Sequence, residues 1–244
     1  MHLAIVSDIH GNLPALEAVL GAIEESDVDE VWCLGDVVGY GAQPDECTEL
    51  VSERCALSLV GNHDLAVLGE IEVSAFSPAA ADAVTWTKGN IAAASLDYLR
   101  GLQPADEGRE VALYHASPRD PVWEYVLWLE QAEECLEAQA ARVSLIGHSH
   151  VALYFVDPEG GTDVRGAHAE AGTSLEIATG RWLINPGSVG QPRDGDPRAA
   201  WLELDTEGWT VAYRRTPYEI DRAAEAIAAA KLPHHLAARL YVGQ

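Results

Sequence analysis

The sequence predicts an α/β fold for its 244 residues. In the first half, apolar runs of strand length alternate with segments of helical periodicity, and this βαβαβ pattern favours parallel strands joined by right-handed crossovers. From residue 151 onward, short apolar runs are separated by turns rich in Gly, Pro and Asp, which is typical of an antiparallel second sheet. No linker, low-complexity tract or repeat divides the chain, so we expect one domain over residues 1–244 that ends in a helical segment at about 217–242.

We predict five buried strands and four helices in the first half. The strands are continuous apolar runs, as expected where both faces of a sheet are covered, and we predict them at 3–7, 31–34, 57–60, 111–114 and 143–146. The helices have apolar residues at helical spacing or start at a proline, and we predict them from residue 14, from residue 44, at 79–102 and at 130–141.

The second half lacks helices until its end. Strands are predicted at 151–156, 182–184, 200–204 and 210–213, with turns at 158–161 and 195–197. A helix at 218–230 is followed by Pro233, which cannot continue it. The Pro-rich segment 117–121 is expected to be irregular and to border the pocket mouth.

The composition argues against a binder of long nucleic acid. Asp and Glu number 39 against 15 Lys and Arg, which gives a formal net charge of −24. Because no Lys/Arg cluster offers a basic footprint, a small phosphorylated substrate fits better than DNA or RNA. An alternative is that the acidity serves solubility alone.

The cysteines and the N-terminal segment point to no special compartment. None of the four cysteines forms a C-x-x-C pair, so neither a zinc–thiolate site nor a redox pair is indicated. The first residues lack the basic region of a signal peptide and no run is long enough to span a bilayer, so we expect a cytoplasmic protein without a membrane partner.

Polar residues follow the five predicted strands of the first half. Ligands of open α/β sheets bind outside the carboxyl ends of the strands, and this position holds Asp8, Asp36, Asn62, His115 and His148, with His10 and His150 on the same loops. Any one of them alone is better explained as a turn, a cap or a satisfied polar residue. Together they predict one cluster that can hold two metal ions, which implies hydrolysis of a phosphate ester or anhydride.

These motifs resemble a known family. Asp8-x-His10, Gly35-Asp36, Gly61-Asn62-His63-Asp64, the strand-end His115 and Gly147-His148-x-His150 are similar to the motifs of the calcineurin-like metallophosphoesterases, with no ligand position substituted. The segment Asn-Pro-Gly-Ser-Val-Gly-Gln-Pro-Arg at 185–193 resembles the bacterial phosphodiesterase and diadenosine-tetraphosphatase-like branch. The resemblance implies a four-layer α/β/β/α sandwich, with two mixed β-sheets packed face to face and helices outside.

The resemblance also implies a ligand set. The first metal ion would be held by Asp8, His10, Asp36 and His150. The second would be held by Asp36, Asn62, His115 and His148, with Asp36 bridging the two. Nitrogen and oxygen ligands with several imidazoles suit two divalent transition-metal ions better than Mg or Ca; Mn is the first choice, and Fe, Zn, Ni or Co remain open.

The expected reaction is in-line attack on phosphorus by a hydroxide that bridges the two metal ions. His63 would act as general acid, oriented by Asp64, which would raise the pKa of His63. The alternatives are that His63 binds phosphate as imidazolium or only packs the turn.

Candidates for the substrate phosphate are Asn12, Asn62 and Arg193, with Asn185 and Arg119 as weaker ones. For each arginine, a surface salt bridge is the competing interpretation. Trp123 and Tyr125 are the best candidates for stacking on a base.

The leading hypothesis is therefore a metal-dependent phosphoric ester hydrolase acting on a small phosphodiester or a nucleotide pyrophosphate. One alternative is a phosphomonoesterase or protein phosphatase, although the Asp-Arg-Gly that eukaryotic-type protein phosphatases carry after the second Asp is missing here, where Asp36 is followed by Val37-Val38-Gly39-Tyr40-Gly41. Another is a metal-binding scaffold without turnover. A homo-oligomer formed through segment 117–128 is also left open, although burial of this strip within the chain is the competing use.

Overall fold

The structure, a computed structural model, describes residues 1–158 and 163–244. The strands are β1 His2–Val6, β2 Glu30–Cys33, β3 Leu57–Ser58, β4 Ala105–Asp106, β5 Val111–Tyr114, β6 Val143–Leu145, β7 Ala152–Asp157, β8 Arg165–His168, β9 Ser174–Glu176, β10 Arg181–Pro186, β11 Ala199–Asp205 and β12 Thr210–Thr216. The helices are α1 Leu13–Glu24, α2 Pro44–Arg54, α3 Asn62–Leu68, α4 Pro78–Asn90, α5 Ala93–Arg100, α6 Leu129–Ala138, α7 Ile220–Ala229 and α8 His234–Ala238. Short 3₁₀ turns lie at Val73–Ala75 and Arg239–Tyr241. Most of the turn predicted at 158–161 lies outside the described residues.

The strands form two mixed sheets of six strands each. The first has the order β3-β2-β1-β11-β12-β9, and the second has the order β4-β5-β6-β10-β7-β8. In the first sheet β1, β2 and β3 are parallel, while β11 runs antiparallel to β1. In the second, β5, β6 and β10 are parallel, while β7 runs antiparallel to β10. The prediction of two mixed sheets is therefore confirmed.

The prediction that the second half forms an antiparallel sheet of its own is wrong. Strands β7 and β10 join the second sheet next to β6, and strands β11 and β12 join the first sheet next to β1. Local periodicity identifies a strand but carries no information about a partner far away in the sequence. The parallel strands of the first half are likewise divided between the sheets, so the predicted strand ends belong to two sheets.

The two sheets pack face to face with helices outside, as the four-layer prediction requires. Leu3 and Ile5 point into the core between the sheets, together with Leu113 and Leu145 of the second sheet. The alternate residues of β1 pack beneath α1 and α2 on the other face. Because β1 is covered on both faces, its sequence is a continuous apolar run and does not alternate. Helix α6 covers the outer face of the second sheet.

Some elements differ from the prediction. The single helix expected at 79–102 is two helices, because Ile91 and Ala92 are extended and the Asp45 carboxylate accepts a hydrogen bond from Ala92 N that starts α5. The C-terminal segment likewise contains two helices, α7 and α8, separated at Pro233. The short strands β4, β8 and β9 were not predicted; all four residues of β8 are exposed, so it has no apolar pattern. In the described part of the chain, no helix is both long enough and apolar enough to cross a membrane.

Candidate metal centre

The first group of candidate ligands lies where the β1 and β2 loops meet the loop after β6. One ligand atom from each of its four buried residues lies within 4.8 Å of the others, and these residues are Asp8, His10, Asp36 and His150. His10 Nε2 is 3.0 Å from His150 Nε2 and 3.5 Å from Asp36 Oδ2. His150 Nε2 is 3.5 Å from Asp8 Oδ1.

The two imidazoles of this group present lone pairs to each other. Nδ1 of His10 donates to Val38 O at 3.1 Å, and Nδ1 of His150 donates to Gln191 O at 2.7 Å. With the proton on Nδ1 in each ring, both Nε2 atoms are acceptors, so their 3.0 Å approach is not a hydrogen bond. A cation between them resolves the repulsion, and the backbone carbonyls fix the tautomers as they do for histidine ligands generally.

The second group contains Asp36, His115 and His148. His115 Nδ1 donates to Leu34 O at 2.9 Å, which leaves Nε2 as an acceptor 3.1 Å from Asn62 Oδ1 and 3.6 Å from Asp36 Oδ2. His148 Nε2 donates to Trp123 O at 3.2 Å, which leaves Nδ1 as its free acceptor. Acceptor atoms again converge without protons between them, so this group also fits a cation.

Asp36 belongs to both groups. Its Oδ1 accepts from His63 N at 2.8 Å, while its buried Oδ2 has no hydrogen-bond partner within the described residues. A buried carboxylate oxygen without a partner is costly unless a cation satisfies it. Gly61 is required here because a Cβ at that position would collide with Asp36 Oδ1. The geometry therefore suits a carboxylate shared by two cations.

The backbone of the candidate ligands is strained. Five of them have left-handed φ angles between 52° and 62°, and these are Asp8, His10, Asp36, His148 and His150. Asp and His tolerate this region better than most residues, yet such a concentration is uncommon and marks a functional site. Backbone hydrogen bonds from Asp8 N to Gly35 O (3.0 Å) and from His10 N to Asp36 O (2.9 Å) hold the two loops together.

Burial shifts the pKa values of the candidate ligands toward their neutral forms. It raises the pKa of Asp8 to about 7 and that of Asp36 well above its usual range. It lowers the pKa of His10, His148 and His150 well below the usual histidine range, and neighbouring positive groups lower it further. The imidazoles of His10, His148 and His150 are therefore neutral and ready to bind a cation at neutral pH.

The predicted interaction between Asp64 and His63 is wrong. Both residues lie in α3, where side chains of consecutive residues do not face each other. The Asp64 carboxylate accepts hydrogen bonds from Gly61 N, Val37 N and Val38 N at 2.9–3.2 Å. Burial and the nearby positive charge of Arg193 lower the pKa of His63, contrary to the expected rise.

The His63 ring is surrounded by other aromatic rings, which the sequence analysis did not predict. Its ring centroid is 4.4 Å from that of Tyr40, 4.8 Å from that of His10 and 4.9 Å from that of Phe76. Its Nδ1 is buried and has no partner in the described part of the chain, and a Cβ on Gly39 would lie 2.5 Å from it. The position of Tyr40 between two glycines was a usable signal, whereas nothing in the sequence singled out Phe76.

Among the phosphate-binding candidates, Arg193 and Asn62 lie at the centre. Arg193 N donates to His150 O at 3.0 Å, its guanidinium lies 5.6 Å from the Tyr40 ring centroid, and its Nε is buried without a partner among the described residues. Its positive charge contributes a lowering effect to the pKa values of Asp8, Asp36 and His150. The amide oxygen of Asn62 lies 3.1 Å from His115 Nε2.

The other candidates are used by the fold. Asn12 caps α1 through Ala15 N (3.2 Å) and donates to Gly190 O (2.8 Å), so its amide is not available to a phosphate. Asn185 donates to Gly147 O at 2.7 Å and supports the loop after β6. Arg119 pairs with Glu134 and Glu124, which is the salt bridge that competed with phosphate binding.

The irregular segment predicted at 117–121 leads to aromatic residues beside the second group. The Tyr125 ring centroid is 4.1 Å from that of His148, and Tyr125 is 42% exposed. The Trp123 ring packs against Phe76 at 5.0 Å. Tyr125 therefore offers an accessible aromatic surface at the edge of the centre.

Comparison with known proteins decides the family. The family model for the calcineurin-like phosphoesterase superfamily domain matches residues 1–207. The chain belongs to this superfamily. It is accordingly a metal-dependent phosphoric ester hydrolase, which agrees with the two groups of candidate metal ligands that share Asp36.

Two of the proteins compared are similar to this chain over nearly its whole length, and a third is similar over part of it. The chain is 38% identical to a metallophosphoesterase from Sphaerobacter thermophilus. The superposition on that crystal structure covers 100% of this chain and 99% of the other, with a TM-score of 0.90. It is also 38% identical to the uncharacterized protein MJ0912 of Methanocaldococcus jannaschii over 99% of this chain and 98% of that one. A symmetrical bis(5'-nucleosyl)-tetraphosphatase of Actinobacillus pleuropneumoniae is 36% identical over 70 residues, which are 28% of this chain and 26% of that protein.

Proposed function

We propose that this phosphoesterase uses two divalent transition-metal ions, Mn foremost, to hydrolyse a small phosphodiester or a pyrophosphate-linked nucleotide. The observation that carries the proposal is the pair of buried acceptor clusters that share Asp36. In each cluster, ring nitrogens and side-chain oxygens converge at distances of 3.0–3.1 Å, an arrangement that a shared cation stabilises.

The proposed ligands divide between two ions. Asp8, His10, Asp36 and His150 would hold the first, and Asp36, Asn62, His115 and His148 would hold the second. When bound, two such ions supply a deprotonated water as nucleophile and neutralise charge on the phosphate oxygens. The chain's own part is to fix the ligand orientations, through carbonyl bonds to the imidazoles and through the left-handed loops.

Other side chains would act on the substrate directly. Arg193 would bind a phosphate oxygen, since its guanidinium faces the centre and lacks a carboxylate within salt-bridge distance in the described residues. We propose His63 as the proton donor to the leaving oxygen. Its pKa is low in the free protein because of burial and positive neighbours, and the negative charge of a bound phosphate would raise it.

Two observations favour a nucleotide. Tyr125 is an exposed ring beside the second ion site, where a base can stack. The partial similarity to a symmetrical bis(5'-nucleosyl)-tetraphosphatase points to the same class of substrate. The net charge of −24 disfavours long nucleic acids.

The proposal is tested with bis-p-nitrophenyl phosphate and p-nitrophenyl phosphate, after chelation and with Mn added back. Mn-restored cleavage that favours the diester supports it. Cleavage of the monoester alone would favour a phosphomonoesterase. Metal binding without turnover of these substrates or of dinucleoside polyphosphates would favour a scaffold.

The role of His63 is tested by leaving-group dependence. p-Nitrophenolate leaves without protonation, whereas an alkoxide needs a proton, so a general acid matters far more for the alkoxide. We expect His63→Ala to reduce cleavage of an alkyl phosphodiester by roughly 100-fold or more and cleavage of the p-nitrophenyl diester much less. Equal losses on both substrates would assign His63 to phosphate binding instead.

A further inference from the structure

Tyr40 lies in a turn that is held between the loop after β1 and the start of α3. Gly41 N donates to His10 O at 2.8 Å, and a Cβ on Gly41 would lie 2.4 Å from the same oxygen. On the other side of Tyr40, a Cβ on Gly39 would lie 2.5 Å from His63 Nδ1. The two glycines therefore let the turn approach both neighbours closely, and Tyr40 is the side chain that this turn delivers.

The backbone of Tyr40 adopts a conformation that a bulky residue rarely takes. Its φ is +46°, in the left-handed region that favours glycine, and the residue is only 9% exposed. A strained backbone persists where the surrounding structure determines it, and such strain is concentrated at functional sites. The strain therefore points to a role for the Tyr40 side chain.

The Tyr40 ring is in contact with the proposed proton donor. Its centroid lies 4.4 Å from that of His63, nearer than the centroids of His10 at 4.8 Å and Phe76 at 4.9 Å. His63 Nδ1 is buried and has no hydrogen-bond partner among the described residues, so no hydrogen bond on that nitrogen orients the imidazole. Asp64 binds backbone amides instead. The orientation of the His63 ring therefore depends on packing, to which Tyr40 contributes the nearest ring.

The Tyr40 hydroxyl is in contact with the proposed phosphate-binding arginine. It accepts a hydrogen bond from Arg193 Nη2 at 3.3 Å, and the guanidinium carbon lies 5.6 Å from the Tyr40 ring centroid. The same Nη2 also donates to Gln191 Oε1 at 3.0 Å. Both acceptors are uncharged, so they orient the guanidinium without neutralising it. Its positive charge stays available for a phosphate oxygen.

We propose that Tyr40 is a positioning residue for the hydrolysis: its hydroxyl orients the Arg193 guanidinium toward the phosphate, and its ring holds the His63 imidazole beside the leaving oxygen. The inference rests on the proposed function and adds to it a residue that needs no contact with metal or substrate. One side chain thereby sets the relative placement of the group that binds phosphate and the group that donates the proton. A misplacement of about 1 Å in such a group can cost roughly 100-fold in rate.

Two substitutions separate the two contacts of Tyr40. Tyr40→Phe keeps the ring and removes the hydroxyl, so we expect KM for bis-p-nitrophenyl phosphate to rise about 3- to 10-fold, the loss of one hydrogen bond, with kcat little changed. Tyr40→Leu also removes the ring and should lower cleavage of an alkyl phosphodiester about 10-fold more than that of the p-nitrophenyl diester, since only the alkoxide needs a proton. Equal losses on the two diesters in Tyr40→Leu would overturn the role of the ring.

The matched control is Tyr213→Phe. It removes a buried hydroxyl that donates to Leu153 O at 2.7 Å in the core between the sheets. We expect Tyr213→Phe to leave KM and the ratio of the two diesters unchanged. A rise in KM as large as that of Tyr40→Phe would show that the loss of any buried hydroxyl has this effect, and would overturn the positioning role.

A double-mutant cycle tests the link to Arg193. If the Tyr40 hydroxyl acts through the guanidinium, it has nothing to position in Arg193→Met. Tyr40→Phe should therefore raise KM in the wild-type background and leave it unchanged in the Arg193→Met background. The same rise in KM in both backgrounds would overturn the role of the hydroxyl.

Crystal structures of the metal-free proteins separate this inference from the proposed function, because they require no turnover. We expect the Arg193 guanidinium to be displaced in Tyr40→Phe and the His63 imidazole to be rotated in Tyr40→Leu, while both keep their places in Tyr213→Phe. Unmoved side chains in both Tyr40 variants would overturn the inference. Displaced side chains in variants of a protein whose wild type cleaves no phosphoester with any added metal would overturn the proposed function and leave the positioning role standing.

Discussion

At the residue scale, the centre is a set of hydrogen-bond acceptors that face one another. Asp36 Oδ2 lies 3.5 Å from His10 Nε2 and 3.6 Å from His115 Nε2, and it has no donor in the described chain. Such an arrangement is unfavourable in the metal-free protein and favourable when cations are present. Metal binding should therefore depend steeply on this one carboxylate.

We expect Asp36→Asn to reduce the amount of Mn retained per chain after dialysis, and to reduce diester cleavage by roughly 100-fold or more, since loss even of an outer-shell partner costs 10- to 100-fold. The amide oxygen is a poorer bridge because it carries no charge. Metal analysis and initial rates provide the measurement, and Asp97→Asn, on the exposed face of α5, is the matched control. Full Mn retention in Asp36→Asn would contradict the bridging role.

The raised pKa of Asp8 predicts a pH dependence. Burial raises it from 3.8 to about 7, so between these values the folded metal-free protein holds a proton that the unfolded chain has lost. The contribution of Asp8 to stability is therefore present at low pH and lost as the pH rises toward 7. Metal ions need the ionised carboxylate and compete with this proton.

We therefore expect the increase in Tm caused by Mn to be larger at about pH 7.5 than at about pH 5.5. Thermal unfolding with and without Mn at each pH measures it, with Asp8→Asn as the variant in which the difference should shrink. A gain in Tm that is independent of pH would show that Asp8 gives up no proton on metal binding.

At the element scale, the start of α3 organises the centre. The helix begins at Asn62, directly after Gly61, so its first turn supplies a candidate ligand, the candidate acid His63 and the carboxylate of Asp64. The Asp64 carboxylate accepts hydrogen bonds from Gly61 N, directly before its own helix, and from Val37 N and Val38 N in the loop after β2. One side chain thus joins the β2 and β3 loops.

We expect Asp64→Ala to lower the free energy of unfolding by roughly 3 kcal/mol or more, because it leaves three buried amides without an acceptor. Asp64→Asn keeps one acceptor oxygen and should cost less. Urea denaturation of the metal-free proteins measures both. If Asp64→Ala cost no more than an ordinary surface substitution, the carboxylate would not be what joins the loops.

At the scale of the whole molecule, the centre lies where two sheets meet. The first sheet contributes the loops after β1, β2 and β3, and the second contributes those after β5 and β6. The positive group of Arg193 lies at this edge in an otherwise strongly acidic chain. The net charge of −24 repels anions at long range, so the proposed metal ions and Arg193 would have to attract a phosphate at short range.

We expect the self-repulsion of this charge to make the metal-free protein more stable in salt. The midpoint of urea unfolding should rise between about 0.01 M and about 0.3 M NaCl, since the Debye length falls from roughly 30 Å to less than 10 Å over this range. Urea is used because it carries no charge. An unchanged midpoint would show that local ion pairs offset the net repulsion.

The candidate site was more predictable than its surroundings. All seven predicted ligands come together because each follows a strand end, and strand ends can be recognised from apolar runs. The sequence did not reveal that Asp64 turns away from His63, since that depends on α3 beginning at Asn62. It also did not reveal Phe76, which reaches His63 through packing between segments of the chain that the local pattern does not connect.

The sequence by itself determined the strand–helix alternation, the polar residue types at the strand ends and the strongly acidic charge, because each of these is written in local composition and spacing. Only the tertiary structure decided which sheet each strand joins and which lone pairs face each other. Those features depend on pairing and packing between residues far apart in the chain. The second half of the molecule shows the difference most clearly, since its strands were recognised individually but the two sheets share them.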